Sequence, residues 1–176
     1  GLLLGAIVDA EPTGTPDAMA GAMTGGDDNN NSNNNIGGTG DDEDGIMFVS
    51  PLIPGSTATV MVTAVNTTPN AAVLQGWIDF NGNGTFEPNE QLTTGNFAST
   101  GAIVPAGSGL NGTKLNFTVP EDAVFANGNA FSRFRLSPNG GLAPNMQTAP
   151  APLGEVEDYK VSLARIGNYV WMDSPD

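Results

Sequence analysis

The sequence predicts an all-β chain folded as an antiparallel β-sandwich, and three observations carry that expectation. Short runs alternate apolar and polar side chains, the period of a half-buried strand. The 24 glycines and 13 prolines, with abundant Asn and Thr, divide those runs into short pieces. No long stretch keeps a helical apolar period, so helix is scarce.

From the N-terminus, GLLLGAIV (residues 1–8) is apolar and far too short to span a bilayer. With no initiator Met and no basic segment ahead of it, it reads as a strand of a mature or excised protein, not a signal peptide. Residues 9–45 break the pattern with nine acidic residues, no basic ones and the run DDNNNSNNNIGGTGDDEDG, the composition of a solvated acidic arm. IMFV (46–49) is a short strand. In TATVMVTAV, Ala58, Val60, Val62 and Ala64 take one face, and Thr59, Met61 and Thr63 the other. LQGWIDF (74–80) is the next strand. In TKLNFTVP, Leu115, Phe117 and Val119 alternate with Lys114, Asn116 and Thr118. In AFSRFRLS, Phe134 and Leu136 share one face while Arg133 and Arg135 share the other. YKVSLARIGNYVWM (159–172) completes the set. Strands every ten to twenty residues with turn-rich gaps fit an immunoglobulin-like or jelly-roll-like sandwich. The expected organisation is an N-terminal strand and acidic arm over 1–45, the sandwich over 46–165, and a terminal strand over 166–176. A chain of 176 residues suits one such domain with appendages.

Charge narrows the partners. With 19 acidic against 5 basic residues the net charge is −14, which repels nucleic acid and anionic membranes. No nucleic-acid partner and no membrane insertion are expected, whereas divalent cations are attracted. The absence of Cys and His removes disulfides, thiolate zinc sites, cysteine nucleophiles and the commonest general base. Hard-cation chemistry with oxygen ligands remains. An enzyme is not expected. Paired carboxylates can cleave glycosides, but these lie in loop and turn contexts without a nucleophile–base set.

The stretch GWIDFNGNGTFEPNEQ (76–91) fits the calcium-loop pattern D-x-[DN]-x-[DN]-G-x5-E. Asp79 takes position 1, Asn81 position 3, Asn83 position 5 and Gly84 position 6. Thr85 at position 7 offers its backbone carbonyl, Glu87 stands at position 9, and Glu90 at position 12 can bind through both oxygens. Alternate residues of a tight loop point at one centre, and Gly permits the sharp turn. A plain hairpin explains the Asn-Gly pairs but not Glu90. Because a strand precedes it, the loop is read as an EF-hand-like calcium loop on a β scaffold. Two of its ligands are Asn, so the expected affinity is modest, on the order of 10⁻⁴ to 10⁻³ M.

LGEVEDYKVSL (153–163) raises a second question. If Tyr159, Val161 and Leu163 face the core, the strand period turns Glu157 inward too, with Glu155 beyond it. A carboxylate entering a core needs a partner. Two are open: an ion pair with Arg133 or Arg135, or a bound cation with further oxygens from DDEDG (41–45) folded back against the sandwich.

The phrases VDAE, GDD, DDEDGI, GWIDFNGNG, FTVP, SRFRLS and GEVEDYKV occur in that order. From about Leu4 to Leu163 the chain resembles the GEVED domain of bacterial secreted and surface proteins. The resemblance implies a β-sandwich within large extracellular, adhesin-like proteins, with calcium-binding acidic motifs. By residue it points to Asp9, Glu11, Asp27, Asp28, Asp42, Asp44, Asp79, Asn81, Asn83, Glu155, Glu157 and Asp158. The chain departs from the pattern in its Asn-rich insertion after GDD, and in Asn81 and Asn83 where Asp is frequent. After Arg165, IGNYVWMDSPD resembles the opening strand of the calcium-binding B-type repeats of serine–aspartate adhesins. That strand either begins a next module or completes a neighbouring subunit.

The functional expectation is a non-catalytic structural module, extracellular or on the bacterial cell surface, stabilised by calcium and serving adhesion, display or assembly. Its sharper form is a fibre subunit in which GLLLGAIV and IGNYVWM pair with other copies of the chain; equally open is that both pair within their own domain. The alternative is a carbohydrate-binding module presenting Trp77 and Phe131, unless the N-terminal arm covers these aromatics.

Overall fold

The alternating run TATVMVTAV becomes β3 (Thr57–Asn66), the axis of one sheet, with Ala58, Val60, Val62 and Ala64 all buried. The computed structural model describes residues 1–6, 44–124, 129–144 and 154–162. Asp9, Glu11, Asp27, Asp28, Asp42 and the stretch IGNYVWMDSPD lie outside them. On one side β3 pairs antiparallel with β6 (Leu110–Thr118). On the other side lie two short strands, β1 (Leu2–Leu4) and β2 (Ile46–Phe48), set end to end. Leu4 stands opposite Ala64 and Ile46 opposite Val62.

Between them both ends meet Thr63: the Gly5 NH donates to its carbonyl at 2.9 Å, and its NH donates to the Gly45 carbonyl at 2.8 Å. Gly5 and Gly45 thus share the place of one residue in a single edge strand. The chain leaves that strand after Gly5 and rejoins it at Gly45. Leu2–Leu4 therefore has its partner within the chain, as the own-domain alternative requires.

The second sheet has the order β5-β4-β7-β8, from Ala102–Val104, Ala72–Ile78, Asn129–Ser137 and Glu155–Ser162, all antiparallel. Its inner face carries Leu74, Ile78, Phe134, Leu136 and Val161 against Val60, Val62 and Phe117 of the first sheet. Phe134 joins the layers. Its ring lies 6.2 Å from Phe48, 6.5 Å from Phe97 and 6.3 Å from Tyr159, in edge-on or tilted arrangements. Among the described residues the only helical turn is the 3₁₀ segment Pro88–Glu90. The fold is thus all-β, two antiparallel sheets around one core.

Candidate functional site

Strand β4 runs directly into the acidic loop, and the backbone delivers Asp79 inward. Asp79 is 2% exposed, and its NH donates to the Phe131 carbonyl of β7 at 3.0 Å. Its carboxylate oxygens accept the NH groups of Asn83 at 3.1 Å and Gly84 at 2.9 Å. Gly84 adopts a φ of 80°, a left-handed turn that costs other residues strain. Asn81 Oδ1 accepts the Asn83 NH at 2.9 Å, and Asn83 Oδ1 accepts the Thr85 NH at 2.8 Å. Glu90, also 2% exposed, reaches back from the 3₁₀ turn. One of its oxygens accepts the Asn81 NH at 3.2 Å and the other the Glu87 NH at 3.1 Å. Glu87 accepts the side-chain amides of Asn81 and Asn83, at 2.7 and 3.2 Å.

The structure therefore brings Asp79, Asn81, Asn83, Glu87 and Glu90 into one closed loop, with Thr85 at its tip. Burial pushes the Glu90 carboxyl above the usual range, against the pull of the two backbone NH groups, and the nearby charges of Asp79 and Glu87 push the same way. No Lys or Arg pairs with these three carboxylates among the described residues.

Strand β8 builds the second cluster. Period two places Glu155, Glu157 and Tyr159 on its inner face, pointing at the divided edge strand of the opposite sheet. The NH groups there that face away from β3 need acceptors. Glu155 accepts the Leu4 NH, Glu157 the Gly45 NH at 3.1 Å, and the Tyr159 hydroxyl the Ile46 NH at 3.0 Å. Tyr159 in turn donates to Glu157 at 2.8 Å. Asp44 accepts the Ala6 NH at 2.9 Å, tying together the two ends of the excursion.

The acidic signature thus acts as a clasp that fastens the divided strand. Glu157 is fully buried, and desolvation pushes its carboxyl up to about 8, assisted by Glu155 and Asp44 and opposed by the Tyr159 and Gly45 hydrogen bonds. Sequence reasoning placed Tyr159 and Glu157 on one inward face but missed the hydrogen bonds of the Tyr159 hydroxyl and of Gly45. The role of Gly45 depends on a strand pairing that no local pattern reveals.

Gly45 has no room for a side chain: a Cβ there would stand 2.7 Å from Leu4 Cβ and 2.8 Å from Glu157 Oε2. Gly45→Ala is expected to cost about 1–3 kcal/mol by overpacking, read as a lowered midpoint in urea unfolding. An unchanged midpoint would mean that the clasp is loose.

Asp158 points to the other face of the sheet and does not join Glu155 and Glu157. It stands opposite Arg133 in register, and its oxygens take Arg133 Nε at 2.7 Å and Arg133 Nη2. Arg133 is 3% exposed, lies over the Phe86 ring at 5.7 Å, and also donates to the Pro144 carbonyl at 3.2 Å. Of the two partners left open for Glu157, the ion pair with Arg133 or Arg135 is ruled out by this geometry, since adjacent residues of β8 face opposite ways. Arg135 likewise turns to the outer face, where it donates to the Ala143 carbonyl at 2.9 Å. Gln75 accepts the Leu142 NH at 2.9 Å, so residues 142–144 are strapped across that face.

Trp77 shares the outer face but is 1% exposed, flanked by Arg133 on one side and by a bridge to Gln91 on the other. It presents no aromatic platform, and Phe131 is half-buried.

Among the described residues no three acidic side chains stand together as a ready-made metal cage. The loop's donor set would draw on the amide oxygens of Asn81 and Asn83 and on the Thr85 carbonyl as well as on carboxylates, the oxygen types a hard divalent cation takes. Among protein-family models, that of the GEVED domain matches residues 73–162, about half of the chain. No curated protein and no solved structure matches it.

Proposed function

The chain belongs to the GEVED domain family, and from that premise we propose that it is a non-catalytic structural module, secreted or displayed on a bacterial surface and stiffened by calcium held in the Asp79–Glu90 loop. The observation that carries the reading is the burial of Asp79 and Glu90, with no cationic side chain paired to either among the described residues. Buried carboxylates so close together repel one another, and a bound cation would relieve both the repulsion and the desolvation. A bound calcium supplies charge neutralisation and a rigid oxygen-ligand junction, not reaction chemistry. Asp44, Glu155 and Glu157 form a second acidic group whose first task is to fasten the divided strand. The net charge of −14 suits a soluble display or assembly element that does not engage nucleic acid or anionic lipid. Assembly by strand addition would fall to residues 166–176, since Leu2–Leu4 is already paired.

Thermal melting in calcium and in chelator tests the reading. Calcium at about ten times its dissociation constant is expected to stabilise the fold by roughly 1.4 kcal/mol per site. Asp79→Asn should remove most of that increment. A melting temperature unmoved by millimolar calcium would end the proposal.

A further inference from the structure

The chain contains five Asn-Gly pairs, at 81–82, 83–84, 111–112, 127–128 and 139–140. Asn is a thermolabile residue. A following glycine, having no Cβ, leaves its backbone nitrogen open to approach by the Asn side-chain carbonyl carbon.

The structure separates these pairs. The Gly84 NH is held by Asp79 Oδ2 at 2.9 Å, and the Gly140 NH by Ser137 Oγ at 3.1 Å. Gly112 lies within β6 at the register shift opposite Val62 and Ala64, where it has no partner residue in register on β3. Residues 127–128 are outside the described residues. Gly82 is different. Its NH makes no hydrogen bond among the described residues, and Asn81 is exposed. Asn81 Oδ1 reaches past Gly82 to accept the Asn83 NH at 2.9 Å, as Asn83 Oδ1 reaches past Gly84 to the Thr85 NH at 2.8 Å, so the two pairs differ in whether the glycine NH is held.

We propose that Asn81 is a site of spontaneous deamidation through a succinimide, which turns a neutral position of the acidic loop into a carboxylate. The Gly82 nitrogen gives up its proton and bonds to Asn81 Cγ. The bond from Cγ to the amide nitrogen breaks, and ammonia leaves. Water then opens the ring at either carbonyl, giving Asp or isoaspartate. One water is consumed, one ammonia is released and no electrons are transferred.

The charge change falls where it matters. Asn81 Nδ2 now donates to Glu87 Oε2 at 2.7 Å, and after the reaction two carboxylates face each other there. The aspartyl product adds a carboxylate to Asp79, Glu87 and Glu90, and ligand charge tunes calcium affinity. This functional consequence, though not the modification itself, rests on the calcium reading above. The aged protein becomes less stable without calcium and more responsive to it.

The full chain, kept folded in mildly alkaline buffer, is sampled over time by peptide mass mapping. Asn81 is expected to gain one mass unit several-fold faster than Asn83 or Asn139, and the rates should converge once the chain is unfolded in urea. Asn81→Gln should abolish the fast gain. Equal rates in the folded chain, or Asn83 or Asn139 leading, would overturn the proposal. Asn81→Asp, standing for the aspartyl product, should reach its half-maximal calcium-induced melting shift at several-fold lower calcium. A fast mass gain at Asn81 with no calcium response in either protein would uphold the modification and remove the calcium reading alone.

Discussion

Replacing Arg133 with Met destabilises the protein by about 3–5 kcal/mol, the cost of leaving a buried carboxylate without its partner. Asp158 is 9% exposed and takes two guanidinium nitrogens of Arg133 on the outer face of the sheet. Arg133 also holds the strap at residues 142–144 through the Pro144 carbonyl and covers Phe86, so its removal loosens packing as well as charge. Urea unfolding should show the loss. Removing both charges, in Arg133→Met with Asp158→Leu, should recover much of it, because an apolar pair of similar volume avoids the desolvation penalty. Calcium discriminates the two roles open to Asp158. A single variant that calcium restores would make Asp158 a metal ligand; one that calcium leaves unchanged keeps it in the ion pair.

Glu157→Gln removes a pH dependence that the calcium-free wild type should show. The Glu157 carboxyl is held at about 8 in the fold against an ordinary value of 4.5, chiefly by burial. Between those values the folded protein keeps a proton that the unfolded chain has released. Stability therefore falls as pH rises through that window, and is greatest where the carboxyl is protonated in both states. The slope integrates to a few kcal/mol on an order-of-magnitude basis. The substituted amide would keep an acceptor for the Gly45 NH and carry no charge beside Asp44 and Glu155. The variant should thus gain on the wild type as the solution becomes alkaline. Denaturant unfolding of both proteins at about pH 5 and about pH 8, in chelator, reads the difference. Parallel stabilities at the two values would mean that Glu157 ionises freely within the clasp.

What local pattern can reveal was legible. Alternation assigned the buried faces of β3 and β6, set Phe134 and Leu136 opposite Arg133 and Arg135, and turned Glu157 inward. It could not say which strand lies beside which. Arg133 meets Asp158 because β7 pairs with β8 in one register, a relation across 25 positions of sequence. Trp77 reads as a solvent-facing aromatic because alternation puts it on the outer face. That face is covered by Gln91 and the 142–144 strap, and no periodicity announces which segment supplies such a cover. The loop from Asp79 to Glu90 was readable as a unit since its hydrogen bonds are nearly all local. The clasp was only half readable, since its acceptors are adjacent in sequence while Leu4, Gly45 and Ile46 come together only through pairing with β3.

The divided edge strand fixes where the intervening chain leaves the sheet and where it returns. Departure at Gly5 and return at Gly45 occur beside one residue, Thr63, so the ends of the intervening chain are held together whatever its length. Closure entropy rises only logarithmically, by about 0.6 kcal/mol for each doubling of length. An engineer wishing to graft a foreign epitope would find paired anchor points there, since the glycine junctions at 5 and 45 already bring both ends of an insert to one residue of the sheet.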